Sequence, residues 1–147
     1  MFEHDYLMRM IMQLIEAIQR SINMSKSGAD DPAAQAQLLE DAIGSATDMD
    51  GGVLLSLSPD SIANILDLSG TDPRVVEYIG RSLYLESAYL AQAGATDLAM
   101  VRAEQALALA EHYGFPLDEE LGPEAAMEAF LSDRSSERSE ELDAASE

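Results

Sequence analysis

The side chains that could do chemistry are few. The chain has two histidines, His4 and His112, and no cysteine. The histidines share no metal-ligand spacing, and without a thiol there is neither a cysteine nucleophile nor a cysteine-rich zinc site. His112 falls in the last turn of an expected helix, where an imidazolium interacts favourably with the dipole. His4 stands between Glu3 and Asp5 at a helix start, where it could chelate a metal only adventitiously. The stretch ATDMDGGVLLSL (46–57) invites comparison with a calcium loop. Asp48, Asp50, Gly51 and Val53 fit its third, fifth, sixth and eighth positions. The first position is Ala46, and the twelfth, which should be a bidentate glutamate, is Leu57. A capped turn between helices is the expectation.

No phosphate-binding loop is present, because Gly51-Gly52 is not followed by the lysine and hydroxyl that such a loop needs. No Gly-x-Ser-x-Gly elbow occurs either. Glu104 and Glu111 lie seven apart on one expected helix, and Glu120 and Glu128 lie near each other further on. In so acidic a chain these pairs are expected on solvated faces. No catalytic, cofactor-binding or metal-binding residue emerges, and a non-enzymatic protein is expected.

The composition narrows the partners. Twenty-eight acids face eight basic residues, a formal net charge of −20, and the single lysine is Lys26. Nucleic acid needs a basic footprint and an anionic membrane needs a basic face, so neither is an expected partner. Apolar residues make up 47% of 147, enough for one buried core. The lack of cysteine suits a reducing cytoplasm, and Glu3 and Asp5 stand where a secretory signal would carry basic residues.

These residues are to be positioned by helices. Asp31-Pro32, Ser58-Pro59 and Asp72-Pro73 each put a capping side chain before a proline at the first helical position, and Gly122-Pro123 is a weaker version. Gly114-Phe115-Pro116 reads as a helix stop. Helices are expected at 4–24, 32–47, 59–69, 73–93, 96–113 and 123–131, with a turn or short helical piece at 51–55. The fold class is therefore all-α, about six helices in antiparallel hairpins. Residues 1–131 are expected as one domain. Residues 132–147, polar and carrying six acids and two arginines, are expected as a disordered acidic tail.

The segment YLMRMIMQLIEAI (6–18) is the oiliest of the chain. Arg9, Gln13, Glu16 and Arg20 form one narrow polar stripe on its helix. A helix wet along so little of its circumference is expected to pack on both flanks. Leu7, Met8, Ile11, Met12, Leu14, Ile15 and Ile18 are accordingly the candidate self-association residues, and a homodimer is expected. The alternative is a bundle that binds an apolar ligand or lipid beside this methionine-rich helix.

Residues 73–113 hold two long helices joined at Gly94, with Thr96 or Asp97 expected to cap the second. Gly94 at the turn, the small residues Ala99 and Ala106, and Leu107 after them resemble a tetratricopeptide repeat. Leu83, Ser87 and Ala103 depart from that pattern, where an aromatic, a glycine and a phenylalanine are usual. The resemblance implies a concave groove lined by the first helix, with Arg81, Tyr84, Ala88, Ala91 and Gln92 as the partner-binding residues. It also implies a protein or peptide partner. Asp5, Tyr6, Met8, Arg9 and Ile11 further resemble the start of a bacterial protein family without assigned activity, which implies no catalytic residues.

Overall fold

The computed structural model describes residues 2–47, 51–117 and 120–146. Seven helices are described: α1 (Phe2–Lys26), α2 (Pro32–Thr47), α3 (Gly51–Leu55), α4 (Pro59–Leu68), α5 (Pro73–Gln92), α6 (Thr96–Tyr113) and α7 (Pro123–Ser146). The described residues contain no strand, so the expected all-α class holds. The short piece after residue 50 is helical. No helix among the described residues is long and apolar enough to cross a membrane.

The helix starts follow the prolines. Ser58 accepts a hydrogen bond from the Ser61 amide at 3.3 Å, and Asp72 accepts one from the Arg74 amide at 2.8 Å. Each capping residue is followed by proline, whose missing N–H is one the first turn could not have satisfied. At the head of α2 the exchange is reciprocal. Asp31 accepts from the Ala34 amide, while Gln35 reaches back to accept from the Asp31 amide. Thr96 and Asp97 do not cap α6. Ala95 occupies the cap with no side-chain bond, and the helix begins at Thr96, the expected start, directly after the turn at Gly94 (φ 86°). Asp97 instead places a negative charge in the first turn, where the dipole favours it.

The chain forms two compact units, Met1–Leu117 and Asp118–Glu147. In the first, α5 is the centre. It packs against α6, α2 and α1, while α4 packs on α6 and α3 on α2. The two hairpins, α1–α2 and α5–α6, are joined by short links and therefore run antiparallel. Their shared core includes Leu14, Ile18, Leu39, Ile43, Ile79, Leu83 and Leu109, all essentially inaccessible to solvent. Removing each such side chain from water contributes about 1.5–3 kcal/mol. Ala99 and Ala106 are buried too, at positions where larger side chains would hold α6 off its neighbours.

The second unit is dominated by α7. Residue 132, where the disordered tail was expected to begin, lies inside this helix, which continues to Ser146. Nothing in the sequence stops it, since neither glycine nor proline follows Pro123. Arg134 lies one turn beyond Phe130, its guanidinium 5.2 Å from the ring centroid.

Candidate functional site

The most unusual chemistry of the fold is buried between α5, α6 and α2. Arg102 sits on the inner face of α6, in line with Ala99, Ala106 and Leu109. Its Nε donates to Glu86 Oε2 on α5 at 3.0 Å, and its Nη2 donates to Glu40 Oε1 on α2 at 3.1 Å. Its Nη1 donates to the Leu55 carbonyl at 2.7 Å and to Gln105 Oε1 at 3.0 Å. Gln105 in turn donates to the carbonyls of Leu55 and Leu57 at 3.0 and 2.8 Å. One guanidinium and one amide thus tie α6 to α5, to α2 and to the end of α3. They also satisfy carbonyls at the end of α3, which that short helix cannot satisfy itself.

Two carboxylates share this single cation, and Glu86 is only 1% exposed. Burial pushes its carboxyl up to about 8. Arg102 opposes the shift, and the negative charge of Glu40 adds to it. Among the described residues, Glu86 Oε1 and the Ser82 hydroxyl one turn earlier have no hydrogen-bond partner. A carboxyl poised near neutrality is one mark of an acid–base centre. This one is enclosed by helices, and its bond to Arg102 ties α5 to α6. A second polar link joins α1 and α2, where the Gln35 amide donates to the Ser21 carbonyl at 2.7 Å and to Ser25 Oγ at 2.8 Å.

The partner-binding candidates share one side of α5. Arg81, Tyr84 and Ala88 are half-buried, while Ala91 and Gln92 are exposed. They lie opposite the line of Ile79, Leu83, Glu86 and Leu90 that enters the core. Arg81 pairs with Glu77 at 2.9 Å, and its guanidinium lies 5.7 Å from the Phe115 ring centroid. Phe115 reaches this position because Gly114 takes the left-handed cap (φ 76°) and turns the chain back over α5. The ring rests on Gly80, where an added Cβ would come within 2.5 Å of Phe115 Cζ.

The self-association candidates are divided. Leu7, Ile11, Leu14, Ile15 and Ile18 are buried within the chain, Met8 is half-buried, and Met12 is 49% exposed. The wet side of α1 is wider than the expected stripe, because Met12, Gln19 and Asn23 join Arg9, Gln13, Glu16 and Arg20. The helix packs against α2 and α5, and its exposed residues lie along the remaining side.

His112 stands in the last turn of α6 as expected. It also has a partner that the sequence did not reveal: Nε2 lies 2.5 Å from Asp67 Oδ2, and the Tyr113 hydroxyl donates to Asp67 Oδ1 at 2.6 Å. These two bonds, the tyrosine's first, hold the Asp67 carboxyl below its usual range. Asp48 and Asp50 of the calcium-loop comparison, and the side chain of His4, lie outside the described residues.

No protein-family model matches this chain, and no curated protein or solved structure matches it either.

Proposed function

We propose that this protein is a non-enzymatic interaction module in which the α5–α6 hairpin works as a tetratricopeptide-like repeat. Arg81, Tyr84, Ala88, Ala91 and Gln92 meet a protein or peptide partner. The observation that carries this reading is the division of α5. One line of the helix is locked into the core by Ile79, Leu83, Leu90 and the Glu86–Arg102 pair, and the five residues line the opposite side. A side so fixed is preorganised, which lowers the entropy lost on binding. Gly94 at the turn and the buried Ala99 and Ala106 support the repeat geometry. The absence of cysteine supports work in a reducing cytoplasm.

Affinity capture from the native host tests this reading, with the wild-type chain beside the double variant Arg81→Gln, Tyr84→Ala. A protein held by the wild type and lost by a variant of equal helicity supports it. A partner retained equally by both moves the contact off α5 and defeats the reading. Self-association through the Met8–Met12 edge of α1 is the second part of the proposal, supported by the exposure of Met12. Light scattering should then give a dimer that Met12→Glu separates without loss of helicity. A wild-type monomer at about tens of micromolar, a range set by ordinary dimer affinities, rules the dimer out.

A further inference from the structure

α6 carries apolar residues on its outer side as well as its inner one. Met100 is 59% exposed and Leu107 45% exposed, and Val101 is exposed beside them. An apolar side chain left in water is ordinary when it stands alone. These do not stand alone, and their spacing is regular. Met100 and Leu107 are seven apart, as are Val101 and the half-buried Ala108. Between these two rows runs a third with the same spacing: Asp97, Glu104 and Glu111, all exposed. A helix laid along this face would pack apolar side chains against the two outer rows and set its own charged side chains against the acids between them.

The charges decide which partner. A second copy of α6 would set the acidic row against itself, since in either direction the middle acids oppose acids. An anionic membrane is repelled for the same reason. No basic side chain of α6 relieves the row, because Arg102 is buried in the core and His112 is held by Asp67. We propose that the outer face of α6 docks a basic amphipathic helix, one that sets Lys or Arg at seven-residue spacing against Asp97, Glu104 and Glu111. Its apolar residues lie along Met100, Leu107 and Val101. This surface is separate from the α5 residues of the proposed function and stands or falls without them.

The test uses the full chain and a synthetic three-heptad peptide with lysine and leucine in the matching register. A scrambled peptide of equal composition serves as control, with binding followed by fluorescence anisotropy. The registered peptide should bind at least tenfold more tightly than the scrambled one. Glu104→Lys with Glu111→Lys, and separately Met100→Ser with Leu107→Ser, should each weaken it at least tenfold. Tyr84→Ala should leave it unchanged, which separates this site from the α5 face. Equal binding of the two peptides overturns the proposal by showing diffuse attraction to an acidic protein. Equal binding by wild type and both double variants also overturns it. Dimerisation abolished by Leu107→Ser would give the face to a second copy and overturn it as well.

Discussion

Arg102 is the residue on which most of the interior polar structure depends. Truncation to alanine leaves the Glu40 carboxylate without its cation, the Glu86 carboxyl without its donor, and the Leu55 carbonyl with Gln105 alone. Each buried acceptor left without its donor costs about 1–3 kcal/mol, so Arg102→Ala, which removes the donor to both Glu86 and Leu55, should lose about 2–5 kcal/mol in urea titration. Glu86 makes a pH prediction with a definite sign. Its carboxyl titrates near 4.5 when unfolded and near 8 when folded, so between those values the folded state holds the extra proton. The stability it contributes is complete below pH 4.5 and is lost as pH rises to about 8. Melting temperatures should fall between pH 5 and 8 in the wild type and stay flatter in Glu86→Gln, which keeps the shape and carries no charge. Parallel curves for the two proteins would show that Glu86 is ionised throughout. Neither carboxylate partner of Arg102 was legible in the sequence, because they lie 16 and 62 residues away and a single sequence carries no sign of such pairings. The arginine itself was a sign, standing on a line with Ala99 and Ala106 that was otherwise small and apolar.

At the level of elements, most of the fold was legible because its boundaries are written in local chemistry. Pro32, Pro59, Pro73 and Pro123 each open a helix, as their single fixed dihedral angle requires. Gly94 and Gly114 close α5 and α6 in the left-handed conformation that other residues resist. Two elements offer composition alone as a guide. The polar run after residue 131 continues α7, and the oily α1 turns one broad side to water. The contact between Phe115 and Gly80 gives a prediction at this scale. Gly80 lies mid-helix, where alanine would ordinarily stabilise by about 0.5–1 kcal/mol. Here the new methyl meets the ring, and overpacking costs about 1–3 kcal/mol. Gly80→Ala should therefore lower stability in denaturant, and Phe115→Leu should restore most of the loss in the double variant. A stabilised Gly80→Ala would show that the ring is free to move aside.

For the molecule as a whole, the legible part was class and charge, and the unread part was which surfaces do the work. The candidate partner-binding and self-association residues follow a pattern in the sequence, and only position in the fold separates Met12, at the surface, from the buried Ile11 and Ile18. The bonds from Gln105 to the Leu55 and Leu57 carbonyls bear on the order in which the chain folds. They join positions 50 and 48 residues apart, whereas the α5–α6 hairpin closes over a few residues and can assemble early. Long loops are slow to close, so the α3–α4 region should be fastened after the folding barrier has been crossed. Gln105→Ala should then accelerate unfolding by about the full loss in stability and leave the refolding rate nearly unchanged. A stopped-flow experiment in which refolding slows instead would put this clasp inside the nucleus. If the clasp closes last, it is also the first to open, and the segment around Leu55 is where the native protein should begin to exchange its amide hydrogens before any global unfolding.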